Sequence, residues 1–150
     1  MHAAQQIVAA IVARLVAAST DAGSNVFSDR LWPLDASKLP AFRVFEGGEQ
    51  IAVETIHWPQ LQKHDTDIVV EACATSTTGI DAVLAGLRLQ AERALFDTLD
   101  HATLGLGVTT YLRAVGPMRP LEAADKQIAA REIRVAAQYR TFANAPDVFV

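Results

Sequence analysis

Apolar residues recur at three- and four-residue spacing at the start of the chain, where Ile7, Ile11, Leu15 and Ala18 form a stripe that Val8, Val12 and Val16 widen. That period predicts an amphipathic helix from Ala3 to about Ala18 with one broad side buried against a sheet. Ala9, Ala10, Ala13 and Ala17 favour the helix, and Asp21 and Gly23 end it. A second stripe of Ile80, Val83, Leu84, Leu87, Ala91, Ala94, Leu95 and Thr98 predicts a helix of about 20 residues, about 30 Å long. Thr78, three residues before Asp81, reads as its cap.

Between and after these helices the period drops to two. In "AFRVFEG" Phe42 and Val44 face one way and Arg43 and Phe45 the other. Gly47 and Gly48 then read as a hairpin turn into "QIAVETI". Trp58 to Thr66 reads as a polar, turn-like segment with His57, His64, Asp65 and Asp67 close by. "DIVVEACATS" follows as a strand, with Ile68, Val70, Ala72 and Ala74 on one face and Val69, Glu71 and Cys73 on the wetter one.

After "HATLGLG", "VTTYLRAVGP" reads as another strand. The last strand sets Ile133, Val135, Ala137 and Tyr139 opposite Arg134, Ala136, Gln138 and Arg140. Its alternation falters at Ala129 and Ala130, which implies a bulge there or a later start. "NVFSDRLWPLDASKLP" has no period, and its prolines make Trp32 and Leu39 extended. A short strand or arm is expected over Val26 to Leu31, with a turn at Asp35 to Ser37. The order implies an α+β fold: a mostly antiparallel sheet with two main helices packed on one side, in a single domain over residues 1–150.

Composition narrows the functional classes. A chain of 150 residues can remove roughly 68–70% of its extended surface from water, so its core needs no disulfide or structural metal. Cys73 is the only cysteine, so no internal disulfide or thiolate cluster forms, and its apolar setting reads as a packed thiol. A net charge of -4 gives no general attraction to nucleic acid. The apolar N-terminal segment is interrupted by Arg14 and lacks a basic start, so it reads as a soluble helix and no membrane partner is expected.

Catalytic signatures are weak. His57 and His64 with Asp65 or Asp67 lack helical zinc spacing and read as polar loop residues. Ser76, Thr77 and Thr78 lack a nucleophile elbow and read as helix-capping residues. "GLGVTT" lacks the rest of a dinucleotide or phosphate-loop fingerprint. The sequence therefore predicts no enzyme, no metal and no cofactor.

Surface chemistry is more informative. Arg30, Arg113, Arg119, Arg131, Arg134 and Arg140 fall on strands or adjoining loops, where they either solvate a face or pair with carboxylates across a subunit boundary. Trp32 with Pro33 and Leu34 reads either as an interface anchor or as core folded over the sheet edge. The apolar tail ending in Phe149 and Val150 docks on its own sheet or on a neighbour. Arg30, Trp32, Leu34, Arg113, Arg119, Arg134, Arg140 and Phe149 are thus the candidate assembly residues.

The alanine-rich opening helix, "NVFSDRLWPL" with "KLPAFRVFEG", "TDIVVEACAT", "GIDAVLAGLRLQAERALF" and "IAAREIRVAAQYRTF" together resemble the tail terminator proteins of long-tailed bacteriophages, the lambda-like minor tail protein U family. The likeness spans nearly the whole chain and rests on the ordered set, not on one motif. It implies a non-enzymatic subunit of a hexameric ring at the head-proximal end of the virion tail. Such a ring caps the tail tube, stops its polymerisation and offers the head a surface. Its implied partners are its own copies, the tube protein and a head-tail connector or neck protein, with at most transient contact with passing DNA. Another neck or tail tube component is the near alternative; a small ligand-binding α+β protein or enzyme is the more remote one.

Overall fold

The computed structural model describes residues 1–28, 36–75, 78–121 and 128–150. Helix α1 (Ala3–Ala17) leads into the two-residue strand β1 (Val26–Phe27) and a 3-10 turn at Ala36–Lys38. Strands β2 (Ala41–Val53) and β3 (Leu61–Thr75) form a long hairpin, followed by α2 (Ile80–Phe96) and the short α3 (Leu99–Ala102). Strands β4 (Thr109–Leu121) and β5 (Ile128–Phe142) complete one sheet in the order β1-β2-β3-β5-β4.

The expected architecture needs correction. The sheet is mixed, because β1 runs parallel to β2 while the other neighbours are antiparallel. Three helices of unequal length and the 3-10 turn accompany it in place of a two-helix layer. A two-residue strand carries no alternation from which a direction can be read, so this pairing was invisible in the sequence. The fold is α+β in outline.

The stripes named above explain the core. Ile7, Ile11 and Leu15 of α1 and Leu84, Leu87, Ala91 and Leu95 of α2 are buried in one cluster with Phe42, Val44, Ile68, Val70, Ile133 and Val135 of the sheet. These strand residues share one parity, which defines the core face. Val16 and Val83, at the margins of the stripes, stay exposed. A smaller cluster of Cys73, Ile128 and Ala130, with Phe27, Leu39 and Leu121 against it, covers one end of the second face.

Local departures have physical causes. Gly47 and Gly48 make no turn: β2 runs through them, and its register with β3 shifts between Glu46 and Glu49. A Cβ on Gly47 would meet the Asp67 Cβ at 3.1 Å and the Asp67 carbonyl oxygen at 3.2 Å. The glycine therefore admits a close backbone approach at a bulge. The chain reverses instead over residues 54–60, where Glu54 N–H donates to the Leu61 carbonyl (2.8 Å) and Leu61 N–H to Thr55 Oγ1 (2.9 Å). The segment expected to be a polar turn is thus, from Leu61 onward, the first part of β3.

Helix α2 is capped by Gly79 at φ 82°, with no side-chain cap, so Thr78 does not serve as its cap. The left-handed backbone that glycine tolerates replaces it. Strand β5 runs unbroken through Ala129 and Ala130, and the irregular registers belong to its partner β4. Methyl side chains fit both faces there, so the apparent loss of alternation was one of size, not of direction. Of the arm expected over Val26 to Leu31, Val26 and Phe27 form β1, while Asp29 to Leu31, the residues on to Asp35, and Ser76 and Thr77 lie outside the described residues.

Gly47→Val is expected to cost about 1–3 kcal/mol by overpacking against Asp67. Gly48→Ala, where a Cβ meets nothing within 4 Å, is expected to leave stability nearly unchanged. Urea denaturation of the two variants checks the contrast.

Candidate functional site

The second face of the sheet holds a chain of ion pairs across four strands. Parity puts Arg43 of β2 opposite Glu71 of β3, which pairs in turn with Glu132 of β5. Glu71 is fully buried and Arg43 nearly so. Arg43 Nε donates to Glu71 Oε1 at 2.8 Å, and its Nη2 bonds the same oxygen. Arg119 of β4 donates to Glu71 Oε2 at 2.5 Å and to Glu132 at 2.8 Å, and Arg134 stands 3.5 Å from Glu132.

Burial raises the Glu71 pKa, but the hydrogen bonds and charges of Arg43 and Arg119 reverse this and hold it below the ordinary 4.5. The carboxylate is therefore ionised at neutral pH. Burial, with the Glu71 charge next to it, pushes the Cys73 thiol up to about 12, so this cysteine is an inert packed group.

Further along the same face Arg113 of β4 donates to Asp67 at 2.5 Å and also bonds Asp65, whose second oxygen accepts from Gln138 at 3.2 Å. Desolvation raises the Asp65 pKa, and Arg113 and Gln138 outweigh it, so the group stays below its usual value. Arg140 forks onto Glu54 at 2.7 and 3.1 Å, tying β5 to the start of the hairpin loop.

A second polar cluster sits on the core face of the hairpin. Glu49 Oε1 accepts from Tyr139 OH at 2.5 Å and from Thr66 Oγ1 at 2.7 Å, with His64 Nδ1 at 3.1 Å. His64 Nε2 lies 2.9 Å from Thr141 Oγ1, and its ring stacks on Tyr139 at 4.6 Å. Burial, reinforced by the Glu49 carboxylate, pushes the Tyr139 pKa up. His64 is thus a core-face residue, while Asp65 and Asp67 face the other way. No three His, Cys, Asp or Glu residues converge as metal ligands among the described residues.

Beyond this cluster β2 stays paired with β3, and β3 with β5 as far as Leu61 and Phe142, before the loop over residues 54–60. Ile51 and Val53 are half exposed, Trp58 is 75% exposed and Ile56 90%. Among the described residues both long edges of the sheet are largely unpaired. Among the described residues β2 pairs with β1 only at Phe42 and Arg43, and β4 pairs only with β5. Tyr111, Leu112 and Met118 of β4 are exposed large apolar residues.

The candidate residues have the following places. Arg113, Arg119, Arg134 and Arg140 all make ion pairs within the chain, yet the last three keep nearly half their side-chain surface exposed. Arg131 is on the other face and donates to the Gly116 carbonyl at 3.1 Å. Phe149 packs edge-on to Tyr139 at 5.5 Å, so the tail docks on its own sheet; Val150 N–H donates to the Arg140 carbonyl at 3.0 Å. Arg30, Trp32 and Leu34 fall outside the described residues.

Sequence reasoning missed the pairing of Glu71 with Arg43. A signal existed for it: Arg43 and Glu71 occupy the second parity of two strands, and opposite charges there foreshadow a pair. The likeness to tail terminators implied residues 47–65 as a candidate ring or axial surface, without singling out Ile56 and Trp58 within it.

No family model matches the chain, and no curated protein matches it. Among solved structures the chain is similar to one described as "Virion of native gene transfer agent (GTA) particle". The identity is 14%, the match covers 94% of this chain and 100% of that one, and the TM-score is 0.48.

Glu71→Gln is expected to destabilise the fold by about 3–5 kcal/mol, since it leaves buried Arg43 without its counter-charge. Because the folded Glu71 pKa is depressed, its contribution is complete above the unfolded value and is lost as pH falls below 4.5 through the folded one. Urea midpoints measured from pH 7 to pH 3 should therefore converge for wild type and variant in acid.

Proposed function

We propose that this protein is a non-enzymatic structural subunit, the terminator of a phage-type tail, that closes into a ring on the tube end and stops its growth. The observation that carries this reading is that, among the described residues, one sheet bears two largely unpaired and unlike edges on opposite sides. A head-to-tail contact between unlike surfaces closes into a ring when the rotation between copies suits, and otherwise runs on as a filament.

The ordered sequence likeness to tail terminators supplies the identity of the ring. The internal pairing of the charged groups supports a structural role. Glu71, Glu132, Asp65, Asp67 and Glu54 each have a cation of their own chain. Glu49 is held below its ordinary pKa by Tyr139, Thr66 and His64, which outweigh its burial. These carboxylates serve cohesion, in contrast to the raised pKa of a general acid.

On this reading the ring belongs at the head-proximal end of the tail, with the tube protein on one side and a connector or neck protein on the other. Termination follows from asymmetry: one ring face matches the tube end, and the other lacks the surface that accepts a further tube subunit. The β2–β3 loop, with Ile56 and Trp58 exposed on it, suits the contact with a neighbouring protein. Passing DNA meets a chain of net charge -4, which does not hold it back.

Mass measurement over a concentration series, with negative-stain imaging of mixtures with purified tail tubes, tests the proposal. Closed rings of about six copies, seated at one tube end and preventing elongation, are expected. A chain that leaves tube ends free and elongating at every concentration refutes it.

A further inference from the structure

Strands β2, β3, β5 and β4 lie side by side and each antiparallel to the next, so their directions alternate across the sheet. Four alternating strands leave the two outer ones running in opposite directions. Copies related by rotation about an axis along the strands therefore bring β4 of one beside β2 of the next in antiparallel orientation, the better-bonded arrangement. An odd number of such strands would have forced a parallel junction.

The registers set the heights. Gln50 lines up through Asp65 and Gln138 with Thr109, and Glu46 through Ile68 and Val135 with Leu112. The open part of β2 thus begins level with the first part of β4. Ile51 shares the core-face side with Leu112, so apolar edge residues of the two strands fall on the same side of a continued sheet.

Charge contributes at one point of this junction. Arg113, Arg119, Glu49 and Glu54 are engaged within their own chain, whereas Glu46 is exposed. Level with Leu112, Glu46 of one copy comes beside the partly exposed Arg113 of the next.

We infer that residues 46–50 of one subunit add as an antiparallel strand to residues 109–112 at the edge of β4 in a second copy of this chain. This rests on the ring reading above and specifies the contact that closes it.

Intersubunit disulfide trapping tests the pairing. A cysteine at Gln50 is combined with one at Thr109 or Tyr111, and fully buried Cys73 is left in place. Under oxidation, at least one of the two β2–β4 combinations is expected to give a ladder of covalent oligomers that ends at the size of the closed ring. Single-cysteine variants are expected to stop at dimers or below. Glu46→Lys should raise the concentration needed for assembly, and added salt should narrow its difference from wild type.

Closed rings that yield no β2–β4 crosslink overturn the pairing and leave the ring reading standing. Crosslinked filaments of unlimited length uphold the pairing and refute the ring. Crosslinked rings that ignore tube ends uphold the pairing and refute the terminator role. A wild-type chain that stays monomeric throughout the concentration series overturns the pairing, whatever it does at tube ends.

Discussion

The carboxylate of Glu71 has no access to water, and everything on the second face of the sheet is arranged around that fact. An isolated buried charge is severely penalised, so it persists only with partners brought to it. Those partners come from both sides: Arg43 from β2 and Arg119 from β4, the latter shared with Glu132 of β5. One ionised group thereby engages all four long strands. A slip of one residue in any of them would turn its charged side chain into the apolar core face and leave Glu71 unmatched. The network fixes register more than it adds stability, because ion pairs of this kind offset their own desolvation only narrowly.

That division of labour explains what could be read in advance. The stripes Ile7–Ile11–Leu15 and Leu84–Leu87–Ala91–Leu95 are properties of single segments, and both helices follow from them. The alternation of Ile133, Val135 and Ala137 against Arg134 and Gln138 likewise assigned β5 its faces. The partners of those arginines were not legible, since Arg119 meets Glu71 only through a register set by strands far apart in sequence. The Gly47–Gly48 pair misled because a bulge and a turn ask for the same residue, and only the approach of Asp67 tells them apart. His64 looked like a loop residue because Glu49, Thr66, Tyr139 and Thr141, which make its burial tolerable, are scattered along the chain.

With the charges of its second face matched internally, the molecule keeps unpaired backbone groups, among the described residues, on the outer sides of β2 and β4. Exposed edges are a hazard that proteins usually blunt with charge, bulges or cover. Here irregular register interrupts β4 and a bulge interrupts β2, and charged side chains line both strands. The tail performs a related task at the end of β5, where Val150 bonds the Arg140 backbone beyond the start of β4. Two protected but unlike edges leave solubility and specific association compatible in one subunit.

Beyond the bulge at Gly47 the sheet is stepped. There β2 stays paired with β3, and β3 with β5 as far as Leu61 and Phe142, while β4 begins only at Thr109, level with Gln138 and Gln50. Three strands thus carry on past the fourth, joined also by the Glu49 cluster and the Glu54–Arg140 fork. The loop that bears Ile56 and Trp58 is therefore held out on a three-stranded platform, which gives its apolar tip a fixed place relative to the body of the subunit.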